Sequence, residues 1–83
     1  MSIFEEQNKS LNSELESRKK QFGIRIKFLR ESQNLSQNDL ASLCNVEKTS
    51  ISRIENGKMN VTLKTCLILS KALNVEIIDF FKN

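Results

Sequence analysis

The stretch Leu35–Lys58, LSQNDLASLCNVEKTSISRIENGK, decides how the rest of the chain is read. Ser36 is placed to cap a helix. Its hydroxyl can accept from the amide three residues on, where Asp39 supplies the acid of a capping box. Gln37, Leu40, Ala41 and Cys44 then fall on one face at helical spacing. Cys44-Asn45-Val46 reads as a tight turn, because Asn tolerates the left-handed backbone such a turn needs. Helical spacing resumes from Glu47 to Asn56, with Val46, Ile51 and Ile54 turned inward, and Gly57 ends it. The expectation is two short helices set at an angle by a tight turn.

The flanks supply what those two helices pack against. Phe22–Gln33 reads as a first helix, with Phe22, Ile26 and Leu29 inward and Asn34 as a left-handed stop. Lys58–Val61 is a short loop. Thr62 then caps a helix Leu63–Leu73 whose core face is Cys66, Leu69 and Leu73, and Asn74 closes it. Ile77–Phe81 reads as a last short helix anchored by Phe80. Residues 1–21 are a charged leader, partly helical, with Phe4, Leu11 and Leu15 on a stripe that leads to Phe22. Two heptads are too few to distinguish one side of a coiled coil from a frayed leader.

With 83 residues, the chain has room for one small domain with a marginal core, which association of copies commonly supplements. It contains no Pro, Trp or Tyr and only two Gly, a composition that favours helices over a turn-rich sheet. There is no His, and Cys44 and Cys66 lie far apart in apolar settings. Both read as core residues, and neither a metal site nor a cofactor is expected. No apolar run is long enough for a membrane span, and no signal peptide is visible. The net charge of +3 lies in residues 21–83, since residues 1–20 hold four basic and four acidic groups. A modest basic excess suits a polyanionic partner.

LSQNDLASLCNV, KTSISRIENGK, TLKTCLILSKALNV and IIDFF, in register, together resemble the lambda-repressor-like (Cro/C1-type, XRE) helix-turn-helix family over about residues 22–81. The resemblance implies an all-α, compact five-helix DNA-binding domain over residues 22–83, here with an N-terminal helical extension. It implies a transcriptional regulator that docks its third helix in the major groove, as a dimer on a palindromic operator in double-stranded DNA. It also implies a salt bridge between Arg30 and Glu55 that ties the first helix to the third. Asn34, Asn45 and Asn74 stand where family members often have Gly, and Glu47 stands where Ser or Thr usually caps the third helix.

On that third helix the outward side chains are Lys48, Thr49, Ser52 and Arg53. Arg53 suits a bidentate contact to a guanine edge, Lys48 reaches the same acceptors, and the Thr49 methyl suits a thymine methyl. Expected phosphate contacts come from Ser36 and Gln37 at the start of the second helix, and from Asn56, Lys58, Asn60 and Lys64 around the following loop. Leu67, Ile78 and Phe81 exceed what the core needs and form an expected homodimer interface, while Ile68 should face solvent. A dimer through the last helix would set two recognition helices about 34–36 Å apart, one DNA turn.

The leading expectation is therefore a cytoplasmic regulator, nucleoid-associated when bound, that binds neither membrane nor small molecule. The alternative is a protein-interaction module or antitoxin subunit on the same fold. An enzyme is not expected, for want of His, a metal set or a phosphate loop.

Overall fold

In a computed structural model the protein is described over residues 3–82, with side chains from Asn8 onward. Four α-helices run in order: α1 (Ile3–Ser32), α2 (Gln37–Cys44), α3 (Lys48–Glu55) and α4 (Leu63–Leu73). A closing 3₁₀ helix spans Ile77–Phe81. Among the described residues there is no strand. The five helical segments match the expected architecture, with the last wound more tightly than an α-helix.

The expected start of the first helix at Phe22 is corrected: α1 begins at Ile3 and is continuous through the leader. No proline interrupts it. Pairs one turn apart, the exposed Glu14–Arg18 at 3.4 Å and Glu16 with the half-buried Lys19 at 3.2 Å, support the stretch before Phe22. What changes at residue 22 is packing, since Leu11 and Leu15 are exposed and Phe22 is buried. The Phe4 side chain lies outside the described part. The extension gives the molecule its length, with extents of 48 × 23 × 19 Å.

Sequence chemistry explains the helix ends. Ser36 Oγ accepts from the Asp39 amide (2.9 Å) while Asp39 Oδ2 accepts from the Ser36 amide (2.8 Å), a complete capping box. Thr62 Oγ1 caps α4 through the Thr65 amide at 3.1 Å. Asn34, Asn45 and Asn74 close α1, α2 and α4 with φ of 60°, 56° and 55°. Asn carries this left-handed conformation at lower cost than most residues bearing a side chain.

The core is one cluster to which every helix contributes. Ile26, Leu40, Ile51, Leu69, Leu73 and Phe80 are its most buried large side chains. Phe22 lies edge-on to Phe80, with ring centroids 5.6 Å apart, which pins the 3₁₀ helix to α1. Arg25 reinforces that junction: its Nε donates to the Asp79 carbonyl at 2.7 Å. Cys44 and Cys66 are buried unpaired thiols, and burial pushes both up from the usual thiol range.

Two inward-outward expectations are corrected. Val46 is 41% exposed: its amide donates to the Ala41 carbonyl to close α2, and this holds its side chain at the rim. Ile68 is half-buried and packs on the core, because the cleft between α3 and α4 reaches it beside Met59 and Leu69.

Two glycines permit close approach. A Cβ on Gly23 would meet the Ile54 carbonyl oxygen and lie 2.5 Å from that of Glu55, so α1 crosses the end of α3 with backbone against backbone. Gly57 has φ of 69°, and a Cβ there would come 3.0 Å from Lys20 Cα. The loop after α3 therefore rests on the extension as well as on the domain.

Candidate nucleic-acid interface

The site begins with a buried ion pair. Arg30 Nε donates to Glu55 Oε2 at 2.6 Å and Arg30 Nη2 to Glu55 Oε1 at 3.0 Å, a two-pronged contact. Arg30 and Glu55 are 7% and 6% exposed. The second arm of the guanidinium, Nη1, donates to the Leu35 carbonyl at 2.7 Å, and Gln37 Nε2 donates to Glu55 Oε1 at 3.0 Å. The Glu55 hydrogen bond raises the Arg30 pKa further above its already high ordinary value. The Arg30–Glu55 pair thus ties together α1, the loop before α2, α2 itself and α3, and every buried side-chain polar atom among the described residues has a partner. Unpaired charge at this depth is costly, so the angle between α2 and α3 is strongly specified.

Outside that clamp lies the face of α3. Ile51, Ile54 and Glu55 point inward, leaving Lys48, Thr49 and Arg53 exposed and Ser52 half-buried. Asn56 Nδ2 donates to Ser52 Oγ at 3.4 Å, so these two groups share one polar patch. Glu47 precedes α3 and makes no side-chain cap hydrogen bond, leaving an exposed carboxylate at the tip of the helix.

The residues expected at phosphates fall into two groups. Asn56, Lys58, Asn60 and Lys64 are all exposed, on and after the turn that leaves α3. Lys58 is placed by its amide, which donates to the Arg53 carbonyl at 2.9 Å, and by Gly57. Ser36 and Gln37 occupy the start of α2. Both the hydroxyl and amide of Ser36 are engaged in the capping box, and the Gln37 amide group holds Glu55. That leaves the backbone amides of Gln37 and Asn38 at the helix start without an intrahelical acceptor.

Sequence reasoning missed Gly23 and Arg25, which position the site from behind. Gly23 had a signal, as the one glycine in a helical stretch; Arg25 had none, since its carbonyl partner is 54 residues away. The expected interface residues Leu67, Ile78 and Phe81 are 45%, 66% and 63% exposed, and Ile24 and Phe28 add exposed apolar surface that the sequence did not single out. Among the described residues no group of three or more metal-ligating side chains forms, and no helix is long and apolar enough to cross a membrane.

Two short helices locked at a fixed angle, the second presenting a polar and basic outer face, define a helix-turn-helix DNA-binding domain. The chain belongs to the Cro/C1-type helix-turn-helix family of transcriptional regulators: the family model, described as helix-turn-helix, matches residues 26–80. Relatives include the control protein C.BamHI of Bacillus amyloliquefaciens, 41% identical over 63 residues, or 71% of this chain and 78% of that protein. The control protein C.SmaI of Serratia marcescens is 40% identical over 52 residues, covering 63% of this chain and 62% of its own length. The crystal structure of the restriction-modification controller C.AhdI of Aeromonas hydrophila superposes with a TM-score of 0.73 at 35% identity, over 75% of this chain and 94% of that one. The controller C.Esp1396I, solved as a tetramer on its natural 35 base-pair operator, gives 0.71 at 33% identity, over 77% and 84% of the two chains.

Proposed function

We propose that this protein is a sequence-specific double-stranded DNA-binding regulator of transcription, of the restriction-modification controller kind, acting in the cytoplasm on the nucleoid. Two copies bind a palindromic operator, each placing α3 in the major groove. The observation that carries the reading is the outer face of α3, with Lys48, Thr49 and Arg53 exposed on a helix whose inner face is clamped through Glu55. Arg53 and Lys48 read guanine acceptors, and Thr49 and Ser52 take the neighbouring edges. The amides at the start of α2, with Gln37, and the groups Asn56, Lys58, Asn60 and Lys64 hold the two flanking phosphate tracks. Leu67, Ile78 and Phe81 join the copies. The role is one of binding and occupancy, with no reaction to catalyse. Similarity to several proteins named as controllers favours this over the other roles such small regulators fill.

Salt separates this function from a protein-interaction role on the same fold. Fluorescence anisotropy with a labelled operator should show affinity falling by about 10³-fold between roughly 50 and 200 mM salt if about six phosphates are neutralised. Lys58→Ala should lower the slope of log affinity against log salt by about one. A salt-independent affinity would exclude the phosphate contacts and the function with them.

A further inference from the structure

The N-terminal half of α1 leaves the domain with an apolar stripe uncovered. Leu11 is 61% and Leu15 is 43% exposed, in helical register with buried Phe22. Below the stripe lies a groove of about 510 Å³ whose apolar walls include Leu15, Phe22, Val61, Leu63, Cys66 and Phe81. Leu63 at its mouth is 71% exposed and Phe81 is 63% exposed, the latter ring 5.7 Å from that of Phe22. Such a surface on so small a domain needs an occupant.

Charge identifies that occupant. Residues 1–16 carry Glu5, Glu6, Glu14 and Glu16 against Lys9 alone, whereas residues 17–83 carry twelve basic and six acidic groups. Within the extension, an acidic stretch over residues 1–16 is followed by the basic Arg18, Lys19 and Lys20, and the groove is edged by Arg18 and Lys19, with Lys82 in the adjoining hollow. A second copy supplies the matching piece. With two α1 helices antiparallel, Leu11 of each lies over Phe22 of the other. Glu14 and Glu16 of each then come beside Lys19 and Arg18 of the other. Within the single chain, among the described residues, those four pair along their own helix, Glu14 with Arg18 and Glu16 with the half-buried Lys19.

We infer that the extension of α1 is a dimerisation arm that two copies exchange, each laying Leu11 and Leu15 into the other's groove. Phe81 belongs both to that groove and to the interface proposed above, so the two surfaces are continuous. The inference rests on the reading that two copies act together, and it assigns the leader a role in that pairing.

Two full-length charge-reversed chains test it, one carrying Glu14→Lys and Glu16→Lys, the other Arg18→Glu and Lys19→Glu. Sedimentation equilibrium is run on each alone, on their mixture, and on the parent. Each variant alone should associate more weakly than the parent by about tenfold or more, because like charges then face each other across the pair. Mixed, they should form a one-to-one heterodimer at least as tight as the parental dimer. Loss of the pairs within one helix lowers helicity, visible by circular dichroism, but gives no preference on mixing. Parental association by each variant, with statistical mixing, would overturn the arm. If Phe81→Asp then dissociates the dimer, the two-copy reading survives without the arm. A parent that stays monomeric at tens of micromolar overturns both.

Discussion

Glu55 illustrates how one side chain ties a binding surface to the fold. It accepts from Arg30 and Gln37 at once, so α3 is held by α1 and α2 through the same two oxygens. Glu55→Ala would leave a buried guanidinium facing a void, and one-sided loss of a buried pair costs about 3–5 kcal/mol. The expected outcome is a large fall in melting temperature ahead of any change in base preference. An unchanged melting temperature with altered base preference would contradict the scaffold role. Glu47, at the other end of α3, contributes no cap and leaves an exposed carboxylate at the helix tip. Glu47→Ser should add a cap, about 0.5–1 kcal/mol, and tighten operator binding; anisotropy and thermal melts check both. Gly23→Ala should destabilise by about 1–3 kcal/mol despite the better helix propensity of Ala, because the methyl would press on the carbonyls of Ile54 and Glu55.

At the scale of elements, the sequence was most readable where local chemistry acts alone. The capping box of α2, the Thr62 cap and the three Asn stops are each set within a few residues, and each appears as the spacing suggested. Where an element's fate depends on distant partners, the reading ran out. Val46 and Ile68 departed from their expected environments, because the bond that closes α2 holds Val46 at the rim and the α3–α4 cleft, set by tertiary packing, reaches Ile68. The single helix through residue 22 was only partly visible, because the stripe of Phe4, Leu11 and Leu15 covers two heptads and, among the described residues 8–18, no side chain is buried. The Arg30–Glu55 pair was suggested by family resemblance, since a contact across 25 residues has no local signature.

The caps also set a pH response. The Ser36 amide and hydroxyl hold the Asp39 carboxyl below the usual carboxylate range, and the Lys82 ammonium and Glu76 amide do the same for Asp79. A depressed folded pKa contributes stability that is present above the unfolded value, near pH 4, and is lost as pH falls through the folded value. Melting temperature should therefore be insensitive to these groups from about pH 7 to 5 and should decline below about pH 4. Asp39→Asn should remove part of that decline. A melting temperature that rises on acidification through this window would contradict the assignment.

For the whole molecule, the architecture was legible because an all-helical chain of 83 residues has few ways to bury a dozen apolar side chains. What stayed out of view is the continuity of α1 through the leader and the exposed apolar Ile24 and Phe28, whereas Ile78 was already marked as surplus. A pattern within one chain marks such exposed apolar residues only as surplus. The central claim is narrower, namely that the outer face of α3 reads base pairs. Selection of bound sites from a random DNA pool, done in parallel with the parent and with Arg53→Ala, tests it most directly. The account predicts that the parent enriches a palindrome and that Arg53→Ala keeps the palindrome but loses preference at one base pair in each half-site. An identical consensus from both proteins, or no enrichment by the parent at all, would contradict it.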